Sequence, residues 1–379
     1  MSSLTTELLP DLGVESFDVS KRRVRPMVES DIVRIADLQQ RIGGDHVSTR
    51  VSLLKRLFFD SPWHGDDFSS LICEDAQGRL LACLGVMPQP MVFRERPIRA
   101  AAGHHFIIDQ SRAGARAAIE LTRRFLHGPQ DLSLAVWDDF GRRIWTSLGG
   151  NVTPLHSFVW TRALRPARYI LDILKGRGLP ASAAVTLHPA CQALDMTLSL
   201  LGRRAFPSES TTALSDDLDP VTMLSCLSAF ASDRLLKPRY DVASLSWVLN
   251  ALAESTDRGQ LHKVAVRAHS GRPLGWYLYY LSSSGTADVL QVGGKDDSLR
   301  EVLHHLFDHA RRRGAVSVTG PMDARLVTAL SESRCTFHRS RNAWTLIHSR
   351  DEQIAEAIHA GDAFLSRLEM QPWYRRGSY

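Results

Sequence analysis

The sequence predicts an α/β (α+β) protein of two similar units in tandem, each a mixed, mostly antiparallel sheet flanked by helices. Three observations predict it. The chain has 379 residues, more than one ordinary core needs, which suits two domains of roughly 150 residues each. Short β-type runs alternate with amphipathic helical runs along the whole length. The order of those runs partly repeats in the second half.

Composition narrows the class. Apolar residues make up 44% and charged residues 23%, as in ordinary globular proteins. There is no window of 18 apolar residues, so no membrane span is expected, and Met1 to Pro10 lacks the basic-then-apolar pattern of a secretory signal. The net charge of +5 suits an anionic ligand, but no Lys/Arg run or basic–aromatic stripe points to DNA. Cys73, Cys83, Cys191, Cys226 and Cys335 are scattered and form no CxxC, which fits free thiols in a reducing cytoplasm.

Residues 1–20 are polar and aperiodic, and are expected to be a flexible tail. In the first unit, residues 21–165, Val24 to Met27 reads as a strand. Ser30 and Asp31 then open a helix carrying Ile32, Ile35 and Leu38. A second helix covers Leu53 to Phe59. Strands follow at Ser70 to Cys73 and Leu80 to Met87, with Asp75-Ala76-Gln77-Gly78 as the turn, then at Met91 to Phe93 and Ile98 to Ile108. From Arg112 to His127, Ala115, Ala118, Ile119, Thr122, Phe125 and Leu126 share one helical face, and Gly128-Pro129 ends it. Leu132 to Trp137 is a strand, Asp139 to Leu148 a helix stopped by Gly149-Gly150, and Ser157 to Thr161 the last strand of the unit.

Residues 166–235 read as a helical connection, with Ser208 to Asp219 as linker. The second unit, residues 236–379, repeats the order. A helix near Ser244 to Ala253 precedes strands at Val264 to Arg267, Leu274 to Leu281 and Val289 to Val292. A helix from Leu299 to Arg312 and strands at Val316 to Thr319 and Thr345 to His348 follow. The turn at Asp75 to Leu81 has its counterpart at Ala268 to Leu274.

The segment Phe106-Ile107-Ile108-Asp109-Gln110-Ser111-Arg112-Ala113-Gly114-Ala115-Arg116-Ala117 carries a family likeness. Strand, loop and helix here resemble the GNAT (Gcn5-related N-acetyltransferase) superfamily, whose central strand runs into an Arg/Gln-x-x-Gly-x-Gly/Ala loop. The resemblance implies an acyl-CoA site, for acetyl-CoA or another acyl-CoA as co-substrate. Its implied ligands are Phe106, Ile107, Ile108, Arg112, Ala113, Gly114, Ala115, Arg116 and Ala117. Amides at a helix start suit a pyrophosphate, and small residues let it approach. Gly114 holds the first glycine position, while Ser111 stands at the leading Arg/Gln and Arg116 at the second glycine. Ile144-Trp145-Thr146-Ser147-Leu148-Gly149-Gly150 resembles the helix end Tyr-x-x-Leu-Gly-Phe, with Trp145 where the family's proton-donating tyrosine stands; an indole N–H is no such acid. The second unit has Gly293-Gly294-Lys295-Asp296-Asp297 without that spacing, so the acyl-CoA site is expected in the first. The whole resembles two-GNAT bacterial acyltransferases of envelope and polysaccharide clusters.

Acyl transfer needs a base for the acceptor and a donor for the developing oxyanion. The candidates are His104, His105 and Asp138. Strict alternation puts the two histidines on opposite faces, so at most one faces the cleft. Asp139 is the expected cap of the next helix. His304 and His305 read as surface or interface residues, and no metal-ligand spacing is expected. The absence of GxxxxGK[ST], GxSxG and GxGxxG disfavours nucleotide hydrolysis, serine esterase and dinucleotide chemistry. The resemblance thus implies an acyltransferase acting on a small-molecule or saccharide acceptor. A FemAB-like transferase using aminoacyl-tRNA and a non-catalytic scaffold stand as alternatives, and a homo-oligomer is compatible with the sequence.

Overall fold

The computed structural model describes residues 22–42, 50–205, 213–339 and 343–370; the expected tail at 1–20 lies outside them. The first half gives β1 (Arg22–Pro26), α1 (Asp31–Arg41), α2 (Arg50–Phe58), β2 (Leu71–Asp75), β3 (Leu80–Phe93) and β4 (Arg96–Ile108). It continues with α3 (Arg112–Leu126), β5 (Leu132–Trp137), α4 (Asp139–Ser147), β6 (Asn151–Val152) and β7 (Phe158–Ala163). A helical hairpin follows, α5 (Pro166–Gly176) and α6 (Ala181–Ala205), then β8 (Leu214–Asp217), α7 (Pro220–Phe230), β9 (Leu236–Pro238) and α8 (Val242–Glu254). The second half has β10 (Gln260–Arg267), β11 (Pro273–Leu281), β12 (Thr286–Gly294), α9 (Leu299–Arg312) and β13 (Ser317–Pro321). It closes with α10 (Val327–Glu332), β14 (Thr336–Arg339), β15 (Trp344–Ser349), α11 (Glu352–Ala360) and α12 (Arg367–Met370). The α/β fold class and the two mixed, mostly antiparallel sheets are therefore as the sequence indicates.

The repeated order is visible in register. The β2–β3 and β10–β11 turns close with matching bonds. Gly78 N donates to Asp75 O and Gly271 N to Ala268 O, and both glycines have positive φ. In each half an antiparallel hairpin (β3–β4, β11–β12) is followed by a helix and a parallel strand, β5 beside β4 and β13 beside β12. A parallel pair needs a crossover, and α3 and α9 provide it. Both helices bury one apolar stripe, Ala117, Leu121 and Phe125 in α3 and Val302, Leu306 and Ala310 in α9. Each large side chain so buried stabilises the fold by about 1.5–3 kcal/mol.

The last strand of each half does not stay at home. The strand expected to close the first unit forms, as β7, but pairs antiparallel with β13, Thr161 opposite Thr319. Reciprocally β15 lies against β5, Leu346 opposite Ala135. The sheets therefore run β1-β2-β3-β4-β5-β15-β6, with β9 on β3, and β14-β7-β13-β12-β11-β10-β8. This corrects the placement read from sequence. Alternation identifies a strand but carries no information about its neighbour. A second correction concerns the linker: Leu214–Asp217 of the Ser208 to Asp219 stretch is β8, paired with β10. The halves also share a core, in which Leu57 and Met87 pack with Leu245 and Leu249 of α8.

Candidate active site

Strands β4 and β5 pair from Ala100–Leu132 to Gly103–Ala135, and the pairing goes no further. Beyond it β4 carries a bulge. His104 opposes Gly85 and Ile107 opposes Cys83, so His105 and Phe106 together face the single residue Leu84. His105 takes φ 43°, a left-handed conformation unusual for a non-glycine residue. The parallel strands thus part like a wedge, with the bulge at its mouth.

The bulge overturns the expected alternation of the histidines. Both rings turn to the α1–α2 face and meet Phe58: His104 stacks on it at 5.3 Å and His105 approaches edge-on at 5.5 Å. Their Nδ1 atoms are 3.1 Å apart, so one donates and the other accepts. A Cβ on Gly85 would lie 2.3 Å from the His104 ring, so the missing side chain is the slot the ring occupies. Burial drives the His104 pKa down to about 3, while His105 is half-buried.

On the opposite face the wedge holds aromatic rings. Phe106 stacks on Trp137 at 4.3 Å, and Trp137 meets Trp145 edge-on at 5.1 Å. Ile107 turns back toward Phe58 in the α1–α2 core, and Ile108 packs with the Phe106 group. Trp145 is fully buried and donates Nε1–H to Ile347 O of the exchanged strand at 3.0 Å, a structural bond. Trp137 is 4% exposed, and its Nε1 has no hydrogen-bond acceptor among the described residues. A buried donor left so costs about 1–3 kcal/mol. Its ring reaches over the last paired residue of β4: a Cβ on Gly103 would lie 3.3 Å from Trp137 Cζ2.

The loop into α3 is built by short-range bonds. Ser111 is the N-cap, its Oγ accepting from Gly114 N at 3.1 Å. Asp109 accepts from Ser111 N and from Arg79 at 2.8 Å. Burial works to raise the Asp109 pKa, but those bonds and the Arg79 charge outweigh it and the net shift is downward. A Cβ at Gly114 would stand 2.0 Å from Asp109 O. The glycine is therefore required by the loop's own closure, a reason different from the approach of a phosphate. The first-turn amides of Arg112 and Ala113 lack an intrahelical acceptor by helix geometry. Arg112 and Arg116 are exposed beside them, Ala113 and Ala115 are half-buried, and Ala117 is in the core.

Asp138, rather than Asp139, caps α4, accepting from Gly141 N at 2.9 Å. Asp139 instead accepts from Trp344 Nε1 at 2.8 Å and pairs with Arg142. Of the two histidines read as surface, His304 is half-buried, whereas His305 is 9% exposed and its Nδ1 meets Tyr277 OH at 2.9 Å, with His309 bonded likewise to Tyr279. Among the described residues no group of His, Cys, Asp and Glu is arranged to hold a metal.

The second sheet has its own wedge. Strands β12 and β13 pair only from Thr286–Ser317 to Asp288–Thr319. Past that point lies a cavity of about 20 Å³, lined by Trp160, Gln291, Asp323, Phe364 and Ser366 among others. That is room for about one water. Behind it the wholly buried Glu369 accepts from Ser366 N, Ser366 Oγ and Tyr240 OH, and Gln291 binds Trp276 Nε1. Burial raises the Glu369 pKa against the pull of those bonds. The segment Gly361 to Glu369 resembles the end of two-GNAT proteins, but the sequence assigns no role to Glu369; Ser366-x-x-Glu369 has a capping-box spacing.

No family model matches the sequence, and no curated protein is significantly similar to it. Solved structures do resemble the fold. A probable N-acyltransferase from Enterococcus faecalis V583 matches 88% of this chain and 73% of its own, with TM-score 0.54 at 10% identity. Saccharomyces cerevisiae N-myristoyltransferase with bound myristoyl-CoA matches 87% and 79%, with TM-score 0.52 at 11% identity. A GCN5-related N-acetyltransferase from Anabaena variabilis matches 86% and 72%, with TM-score 0.54 at 12% identity. Two parted parallel strand pairs, each preceded by a hairpin and bridged by a helix, give this chain the fold of the GNAT superfamily.

Proposed function

We propose that the protein is an acyltransferase that moves an acyl group from an acyl-CoA to an amine or hydroxyl acceptor, with the thioester in the β4–β5 wedge. The observation that carries this reading is the wedge itself, which opens between a bulged strand and a helix start. A thioester lying in the gap has the Trp137 indole on one side of the sheet and the His104–His105 pair on the other. The acceptor's lone pair forms a bond to the carbonyl carbon, and the Trp137 N–H serves the developing oxyanion. The C–S bond breaks, the acceptor proton passes to His105, and CoA leaves as thiolate. His105 is assigned the base because His104, held near 3, is too weak. This requires the tautomer with the proton on His105 Nδ1, its Nε2 then holding the lone pair. Asp138 serves by fixing α4. Arg112, Arg116 and the first amides of α3 take the pyrophosphate.

One observation favours the scaffold reading: the Phe106–Trp137 stack fills the wedge. Calorimetric titration with acetyl-CoA and myristoyl-CoA, read with a thiol-release assay, separates the two. Binding should protect residues 106–118 from hydrogen exchange and leave 289–300 unchanged. Replacing exposed Arg112 and Arg116 by Glu should weaken binding roughly tenfold or more, at least ~1.4 kcal/mol, without unfolding. Gly114 is not a clean probe, because any side chain there meets Asp109. Binding without turnover selects the scaffold; no binding of either CoA ester rejects the acyl-CoA site.

A further inference from the structure

The α5–α6 hairpin stands between the two halves in sequence and exposes an unusual amount of aliphatic surface. Its register is fixed by Asp195, whose carboxylate accepts from Ala167 N and Arg168 N at the start of α5. Ala167 and Leu171 of α5 and Ala184 of α6 are buried at the contact. Turning 100° per residue from that seam, Ile170, Ile173 and Leu174 fall on one flank of α5, and Leu187, Leu194 and Leu198 fall on one flank of α6. Because the helices run antiparallel, these are the same flank. Their exposures are 57, 37, 40, 45, 52 and 43%.

The rest of the hairpin is different. The opposite flank is mixed: Val185 and Met196 are 74 and 71% exposed there, beside Arg168, Asp172, Lys175 and His188, which line a groove with Ser283, Ser284 and Thr286 of the β11–β12 turn. The outer edge of α6 is small and polar, with Ser182, Thr186, Ala193 and Thr197 exposed. Six aliphatic side chains in one stripe are therefore a built face.

We propose that this face is the interface between two copies of the chain, which pair their hairpins into a four-helix layer. The area argues for it. The six exposures amount to roughly 500 Å² of residue surface, so two copies that cover it fully remove about 1,000 Å² from water before any flanking residue, at the lower bound expected of a specific interface. The charge pattern argues for it too. The stripe holds no acidic residue, and its one cation, Arg177, sits at the hairpin tip. A two-fold axis with antiparallel hairpins places the two Arg177 side chains at opposite ends. A lipid surface would call for a basic rim along the stripe, which this flank lacks.

The test is the mass of the full chain by light scattering on a sizing column at 5–100 µM (about the range where such interfaces saturate). The wild type should run as a dimer. Leu194→Glu and Ile170→Glu, each on the stripe, should shift the mass to the monomer, weakening association at least about a hundredfold. Val185→Glu, on the other flank and more exposed than either, should remain dimeric. Unchanged circular dichroism in all three keeps the comparison valid. A monomeric wild type at 100 µM overturns the proposal, as does a dimer that survives both stripe variants or is lost in Val185→Glu. A monomer that sediments with vesicles of anionic phospholipid overturns it in favour of a membrane surface.

Discussion

At the scale of single residues, the bulge at His105 and Phe106 decides which way the side chains of β4 point. His104 and His105 were recognisable as a candidate pair, but a bulge that turns them to one face leaves no mark in an apolar–polar pattern. A side chain at Gly114 would meet Asp109 O, a constraint of loop closure that the sequence does not display. The roles of Trp137 and Glu369 are not legible in sequence, because burial and a missing hydrogen-bond acceptor are properties of the packed chain. The buried histidines carry a consequence for stability. Burial lowers His104 to about 3, His156 to about 4 and His309 to about 4, against an ordinary value of 6.5. Below 6.5 the unfolded chain binds protons that the folded chain refuses, so stability is lost as pH falls from 6.5 toward those values. Urea midpoints measured from pH 7.5 down to 4.5 should fall steadily below 6.5, and His309→Gln, which keeps an acceptor for Tyr279, should reduce the slope. A midpoint that is flat between pH 7 and 5 contradicts this.

At the scale of elements, most strands and helices were legible because each couples one clear period to clear punctuation. Gly128-Pro129 and Gly149-Gly150 end α3 and α4 as expected, whereas the Ser111 cap emerges only in the structure. The least legible element was the bulge in β4, whose geometry is set by the hairpin partner and by the ring slot over Gly85. It also makes a sharp prediction. His105 sits at φ 43°, where a β-branched residue is strained by roughly 1–2 kcal/mol and Asn is tolerated. His105→Val should lower stability by about that amount and His105→Asn by clearly less, measured by denaturant titration. Equal losses in the two variants would place the cost in the lost imidazole contacts with Phe58 and His104 rather than in the backbone. If His105 is also the base, both variants lose turnover, whereas only Val disturbs the fold.

At the scale of the whole molecule, the exchange of β7 and β15 makes the halves interdependent. Each sheet receives a strand from the other half, inserted beside the wedge-forming strand, β15 next to β5 and β7 next to β13. The β15 ladder covers all of β5, from Leu132 to Trp137, and accepts the Trp145 indole at Ile347. Without it β5 becomes an edge with six residues of unpaired backbone, and Leu346 and Ile347, both fully buried, leave their cores. Losing two such side chains removes about 3–6 kcal/mol of burial, comparable with the whole stability of many domains. Two self-contained units joined by a linker would survive separation; exchanged units should not. A chain ending at residue 339 still contains every residue of β1 to β7, yet its first sheet should be unfolded or molten. Hydrogen exchange at 132–137 should then be fast, whereas in the full chain it should rank among the slowest. Supplying residues 343–370 as a separate peptide should restore protection to β5 if the missing strand is the cause. Slow exchange at β5 in the truncated chain, without peptide, would mean that the first half folds independently and that the exchange of strands contributes little to its stability.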